Sequence, residues 1–493
     1  METRPIIPLI IDNQDILAPH SERLGKIVNS THKGSVFYQG ATRDLAFRAA
    51  ESSAKAYSMW SRVTPIQRRS LLLRLAEVLK TRAEEVKQVC CEEIHCGRLW
   101  ADIITNDSIG LVEEYASLTT SVATGSIPFT QRGYGLVLKE PLGVILGIAP
   151  WNAPIILGLR AVVAPIAAGN VAILKGSELS PQTHYLLASL FREAGFPPGV
   201  LNFILHRAED APEIFDVLIN HPAIKKCNFT GSTQVGRVIA SQAAMALKPV
   251  LLELGGKNFT IVLDDADLNL AASEIIKGAF LNNGQICMST DVVIATKSIA
   301  RALENKILSI LERFDASPEV ISLAARAKLE MLVSDAKEKG ACIHTAPLAT
   351  GISPRSFPPT VVTGLTKEMK LYEIESFGPI FGISRAESEH EIMEFIEQAK
   401  YGLSSSILSK DHYRALDLAR SIRAGAVHIN SMTVHDEPTL PHGGYGESGW
   451  GRFGASWGLE EFVQTKLVTI HPGHPPDEIG PVRLERDHCK PQY

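Results

Sequence analysis

Short apolar runs alternate with helical patterns from Gly143 onward, and this alternation constrains the fold more than any other feature of the chain. Val144-Ile145-Leu146-Gly147-Ile148 reads as a buried strand and Pro154 opens a helix; Asn170 to Leu174 is a second strand and Pro181 to Ala194 a second helix. Val200 to Ile204 and residues 225 to 230 repeat the strand pattern, the latter running through Gly231-Ser232-Thr233-Gln234-Val235-Gly236 into another helix. Repeated βα units of this length predict a parallel sheet with helices on both faces. Ligands of such sheets bind beyond the carboxyl ends of the strands. Lys175, Glu178 and the 231–236 turn all fall there.

A second αβ region runs from about residue 254 to 435, with strands at Val292 to Ala295 and Val427 to Asn430 and a helix from Leu323 to Lys337. Together with 493 residues, this suggests two large domains or three average ones. Before the first strand, Thr64-Pro65-Ile66-Gln67 is a capping box, and Leu71, Leu72, Leu75, Val78 and Leu79 share one helical face. The first forty residues are rich in turn formers and are expected to wander over the surface. A late strand, Leu467 to Ile470, has no hairpin partner beside it, and such an edge is usually covered or shared with another subunit.

Several function classes drop out on composition. A net charge of −5 without a long basic run argues against nucleic acid. Seven cysteines with no C-x-x-C pair point to free thiols in a reducing compartment, so the cytoplasm is expected. The stretch Met1 to Pro8 lacks a secretory pattern, and Lys490-Pro491-Gln492-Tyr493 is not the peroxisomal tripeptide. Residues 141–159 are nineteen uncharged positions, but Pro150 and Pro154 in their middle suit strand–turn–helix and exclude a lipid-facing span. Cys90, Cys91, His95 and Cys96 crowd one helix without a second ligand pair, so no metal site is expected.

Chemistry gathers between Glu253 and Cys287. They bracket an apolar strand (Phe259 to Leu263), an acidic turn and a helix that stops at Asn282-Asn283-Gly284. A thiol attacks a carbonyl and a carboxylate activates water, so the pair suits covalent acyl chemistry. The glycine turn, G-x-x-x-x-G, is not a dinucleotide fingerprint. Yet small residues at a helix N-terminus suit a pyrophosphate, and Glu178 suits ribose hydroxyls. On one sheet edge these features favour a nucleotide.

Taken together, Ala149-Pro150-Trp151-Asn152, Lys175-Gly176-Ser177-Glu178, Phe229-Thr230-Gly231-Ser232-Thr233, Glu253-Leu254-Gly255-Gly256-Lys257, Gly284-Gln285-Ile286-Cys287, Glu375-Ser376-Phe377-Gly378-Pro379 and Gly451-Arg452-Phe453-Gly454 resemble, in order, the motifs of the NAD(P)-dependent aldehyde dehydrogenase superfamily. The likeness covers roughly residues 20 to 470. Residues 150–165 and Thr433-Val434-His435-Asp436-Glu437 are most similar to the salicylaldehyde and vanillin (aryl-aldehyde) dehydrogenases. The turn Pro441-His442-Gly443-Gly444 departs from the family, whose members usually carry Phe in place of His442, and residues 313–322 look trimmed, a change expected to fall in a surface loop and helix start.

The resemblance implies an α/β fold with a Rossmann-like NAD-binding domain (1–119 and 139–253), an α/β catalytic domain (254–435) and a small β oligomerisation arm (120–138 and 460–480). It implies Cys287 as nucleophile, Glu253 as general base and Asn152 as oxyanion donor. Trp151, Lys175, Glu178, Gly231, Ser232, Gly236, Gly255, Glu375 and Phe377 would bind the cofactor, NAD, with NADP possible. A carboxylate at Glu178 leans toward NAD because it repels a 2′-phosphate. The presence of Glu253 favours hydrolysis over transfer of the acyl group to CoA. By the same likeness Arg160, Trp100 and Trp450 would hold an aromatic aldehyde bearing a polar or anionic substituent. A homodimer or homotetramer is implied. Two alternatives stand beside this reading: an aldehyde dehydrogenase for an aliphatic or secondary-metabolite aldehyde, and a catalytically silent NAD-binding or structural protein.

Overall fold

A computed structural model describes residues 6–18, 23–29, 34–122, 124–131, 133–314, 319–347 and 353–471. Residues 1–5, 315–318, 472–480 and the C-terminal Lys490 to Tyr493, on which some sequence expectations fall, lie outside the described residues.

Five parallel strands form the middle of the first sheet, in the spatial order Val250–Glu253, Ile224–Thr230, Val144–Ile148, Val171–Lys175, Leu201–Ile204. The chain starts at the centre, winds out on one side, then crosses over and winds out on the other. That reversal opens a crevice at the carboxyl ends of the central strands. The register pairs Ile148 with Lys175 and with Phe229, and Thr230 with Glu253, so these strand ends form one row. Helix Pro154–Ala167 packs behind the central strand with every residue buried, which explains its near absence of charge. Proline stands at its start, where the missing N–H costs nothing.

The second sheet has seven strands, in the order Cys342–Thr345, Thr360–Thr363, Ile380–Ala386, Thr290–Thr296, Asn258–Val262, Ser404–Leu408, Ala426–Ile429. Only the first pair is antiparallel. Its strands Asn258–Val262, Thr290–Thr296 and Ile380–Ala386 are entered from Gly255-Gly256, Cys287 and Glu375-Phe377 respectively. Carboxyl ends of one sheet therefore meet amino ends of the other, and the expected site residues sit between them.

Three expectations change. The first forty residues do not simply wander: Leu9, Ile10 and Ile11 are fully buried, and strand Leu9–Ile11 joins the first sheet antiparallel to Leu201–Ile204. Burying three consecutive large apolar side chains outweighs the turn-rich flanks. The late strand does have a partner in the same chain. Val463–Ile470 pairs along its whole length with Gly133–Pro141, more than 300 residues earlier, in a three-stranded sheet completed by Phe129–Thr130. Finally, the end of the trimmed segment is not plain surface, because Val320 is buried and the Ile321 N–H donates to Gln285 Oε1 at 2.8 Å. The capping box is formed, with Thr64 and Gln67 bonding reciprocally. No helix among the described residues is long and apolar enough to cross a membrane.

Candidate active site

Cys287 stands at the meeting point of two hollows. One, of about 290 Å³, is lined by Trp151, Gly231, Ser232, Glu253, Gly255, Glu375 and Phe377. The other, of about 200 Å³, is lined by Trp100, Ile104, Leu157, Arg160, Met432 and His442 among others. Cys287 and Asn152 belong to both. The first thus gathers residues expected to hold the cofactor and the second includes two of those expected to hold the substrate, with the thiol between.

The loop carrying Cys287 is held from three sides. Residues Asn282 and Asn283 adopt left-handed backbone (φ 49° and 55°), and Gly284 continues at φ 67°. A Cβ on Gly284 would meet the Gly378 carbonyl oxygen at 2.1 Å, so glycine is required for the close approach. Asn258 donates from Nδ2 to the carbonyls of Cys287 (2.7 Å) and Ser289 (2.9 Å). Asn152, itself buried, donates from Nδ2 to the Gln285 carbonyl at 3.0 Å. An amide carries two N–H bonds, so one of them remains for an oxyanion. The Asn152 carbonyl in turn accepts from Trp100 Nε1 (3.0 Å) and Asn282 Nδ2 (3.1 Å).

Electrostatics keep the thiol protonated at rest. Burial, then the Glu253 carboxylate, then Glu375 push Cys287 well above its ordinary pKa, opposed by Arg160. Glu253 is 1% exposed, and among the described residues no N–H or O–H donor hydrogen-bonds either of its oxygens.

On the cofactor side, Gly255 is needed for room: a Cβ there would lie 2.6 Å from Glu375 Oε2. The Glu375 carboxylate accepts the Gly256 N–H at 3.0 Å, and burial raises it to about 7. Phe377 sits in left-handed backbone (φ 52°) with its ring edge-on to Trp151 at 5.8 Å. Lys257 fixes this loop by donating to the Ile374 carbonyl (2.8 Å) and pairing with Asp291 (3.2 Å), which also accepts the Ser376 N–H.

A further hollow of about 490 Å³ holds Lys175 and Glu178, 3.5 Å apart, beside Phe229, Val238 and Ile239. Burial lowers Lys175 below its usual value. Burial would raise Glu178, but Lys175, a backbone N–H and His206 together outweigh it and the carboxyl stays below its ordinary range. Ser232 caps helix Thr233–Met245, whose first-turn residues Gln234 and Val235 line the same hollow. The fit to a dinucleotide is good: apolar walls for a flat base, a carboxylate for hydroxyls, and a helix N-terminus for phosphate. A Cβ on Gly236 would lie 2.4 Å from Leu254, so its smallness lets helix Thr233–Met245 pack against that side chain.

The three residues expected for substrate separate. Trp100 and Arg160 line the cavity behind Cys287. Arg160, however, is 4% exposed and ion-paired through Nη2 with Asp436 Oδ2, so its charge is already met and it is no free cation for an anionic substituent. Trp450 is half exposed, donates its indole N–H to the Val250 carbonyl, and does not line the cavity. Strand pairing sets Gly449 opposite Glu253 and Trp450 opposite Leu252, and alternation turns the indole away. Residues the sequence reading passed over include Asn258, Asp107 and His206, and Asp436 was noted there only as part of a motif. Asp107 was findable, because Trp100, Ile103, Ile104 and Asp107 follow helical spacing on one face.

Comparison with known proteins follows the same lines. The aldehyde dehydrogenase family model matches residues 17–468. The chain belongs to that family. It is 37% identical over 477 residues to a vanillin dehydrogenase of Pseudomonas fluorescens, covering 95% of this chain and 98% of that one. The fold superposes on a crystal structure of salicylaldehyde dehydrogenase from Pseudomonas putida G7 complexed with salicylaldehyde (TM-score 0.91, 35% identity, 95% and 99% of the two chains). A betaine aldehyde dehydrogenase from Staphylococcus aureus in complex with NAD+ matches at TM-score 0.88 and 27% identity over 94% of each chain. As a member of the aldehyde dehydrogenase family, this protein is an oxidoreductase.

Proposed function

We propose that this aldehyde dehydrogenase oxidises an aromatic aldehyde to the carboxylic acid with NAD or NADP, through a thioester on Cys287. The observation that carries the reading is the placement of one thiol where two hollows meet, with Glu253 beside it. In this reading the Cys287 thiol gives its proton to the adjacent Glu253 carboxylate, which passes it to solvent, as the sulfur bonds to the aldehyde carbon. The remaining Asn152 N–H with the Cys287 N–H holds the oxyanion, a contribution of about 3 kcal/mol per donor. A bound nicotinamide supplies the acceptor for the two electrons released when the thioester forms. Glu253 then takes a proton from water, the oxygen bonds to the acyl carbon, and the C–S bond breaks to free the acid. Lys175, Glu178, Gly231 and Ser232 hold the adenosine and phosphate portion; Trp151, Gly255, Glu375 and Phe377 hold the nicotinamide portion. The Glu178 carboxylate favours NAD.

The aromatic preference rests on likeness to the vanillin and salicylaldehyde enzymes and on the narrow cavity walled by Trp100 and Leu157. The exposed apolar side chains of the three-stranded arm, among them Ile127, Phe129 and Leu467, support self-association as a homodimer or homotetramer. A panel of aryl and aliphatic aldehydes, read by NADH or NADPH absorbance with Cys287→Ala as control, tests the proposal. Faster turnover of hydroxybenzaldehydes than of alkanals is expected. Preference for alkanals would favour the aliphatic alternative, and no signal with any aldehyde the catalytically silent one.

A further inference from the structure

Four side chains, three of them buried and Asp436 partly so, form a line behind the thiol. His442 Nε2 lies 3.8 Å from Glu253 Oε1, and its Nδ1 lies 3.7 Å from Asp436 Oδ1. Asp436 is the partner of Arg160. The imidazole is 8% exposed, and its Nε2 makes no hydrogen bond. Its main chain is clamped: the His442 N–H donates to the Phe453 carbonyl (2.9 Å) and the Phe453 N–H to the His442 carbonyl (2.7 Å). The Arg160 guanidinium lies over the Phe453 ring at 5.8 Å, so both ends of the line share one support. Other ionisable groups facing His442 are His435, Cys287 and, from strand Ala426–Ile429, His428.

Resting on the role of Glu253 as hydrolytic base, we propose that His442 is its proton partner, taking up the proton that Glu253 draws from water. Two unsatisfied polar groups, buried and facing each other just beyond hydrogen-bond length, are costly unless a proton is shared between them. Catalytic contacts in ligand-free sites are often long and tighten in the reacting complex. Asp436 selects the tautomer: its carboxylate faces Nδ1, so the ring carries hydrogen there and presents the Nε2 lone pair to Glu253. The balance is simple. Water loses a proton to the Glu253 carboxylate while its oxygen bonds to the acyl carbon. The C–S bond then breaks to give acid and thiolate. The proton on Glu253 moves to His442 Nε2, making an imidazolium beside Asp436 and restoring the carboxylate. His442 touches no reacting atom in this sequence and acts only through Glu253.

The experiment needs no cofactor. 4-Nitrophenyl acetate acylates a reactive thiol, so nitrophenolate release reports loading of Cys287, and intact-mass spectrometry reports the acetyl-enzyme. In His442→Gln and His442→Phe, deacylation measured relative to each variant's own loading burst should slow roughly tenfold or more, so that the acetyl-enzyme accumulates. The acid limb of the deacylation pH profile should move, and imidazole in the buffer should restore deacylation to a His442→Ala variant. Unchanged deacylation and pH profile in His442→Gln overturn the proposal, as does slowing without a profile change or imidazole rescue. Glu253→Gln is run beside them. If it deacylates normally, the reading of Glu253 fails; if it stalls while the His442 variants do not, only the role of His442 fails.

Discussion

Asn258 Nδ2 donates to the carbonyl oxygen of Cys287 at 2.7 Å, while Asn258 Oδ1 accepts the Ser404 N–H at 3.1 Å. A single buried amide therefore ties the proposed nucleophile to the neighbouring strand of the second sheet.

Asn258→Asp keeps the acceptor and loses the donor. Facing the Cys287 and Ser289 carbonyls with oxygen should cost roughly 1–3 kcal/mol and lower kcat/KM about ten- to a hundredfold, because the thiol loses its fixed aim. Thermal unfolding and steady-state kinetics together check this. Unchanged kcat/KM would show that the loop keeps its aim without Asn258.

Thiol titration gives a second expectation. Cys287 is raised by burial first and by Glu253 next, so it is a neutral thiol at pH 7 and its alkylation should accelerate as pH rises. Glu253→Gln removes the negative neighbour and leaves the burial. Iodoacetamide should then label the variant faster than the parent at pH 7 to 8. Equal or slower labelling would mean that Glu253 does not suppress the thiolate.

Glu93 predicts an unusual pH dependence. This carboxylate on helix Ala83–Ile94 accepts the Gln182 and Thr183 N–H groups and the Thr183 hydroxyl, capping helix Pro181–Glu193 from a neighbouring helix. Burial nevertheless raises it from 4.5 to about 7. A folded value above the unfolded one favours the folded state at low pH; that contribution is present below about 4.5 and is lost as pH rises through about 7. The melting temperature of the parent minus that of Glu93→Gln should therefore fall between pH 5 and pH 8, by an amount on the order of 3 kcal/mol in stability. A difference that stays flat across this range would contradict the assignment.

The Arg160–Asp436 pair should behave as a buried ion pair. Asp436→Asn leaves the guanidinium uncompensated and should cost about 3 kcal/mol or more, whereas Arg160→Met with Asp436→Leu should recover much of that loss. Urea unfolding of the three variants is the measurement. A double variant no more stable than the single one would show that the pair contributes more than charge neutrality.

Much of this was legible in the sequence because the chemistry sits at strand ends. Periodicity located four of the five parallel strands of the first sheet, missing Val250–Glu253, and residues following Ile148, Lys175, Thr230 and Glu253 line the hollows. What escaped depends on distant pairing. Leu9–Ile11 is too short to register as a strand, and its partner Phe203 lies far along the chain. Gly133–Pro141 and Val463–Ile470 meet across more than 300 residues of chain. Trp450 was misplaced because strand direction, not residue type, decides which way an indole turns. His442 stood out as a departure from pattern, but its two carboxylate neighbours come from separate segments that only folding brings together.

The position of Cys287 on the wall common to two hollows also bears on traffic. Each chamber has its own lining, and only Asn152 and the thiol are held in common. In the proposed function, dinucleotide and aldehyde would therefore occupy separate chambers and approach the thiol from two directions.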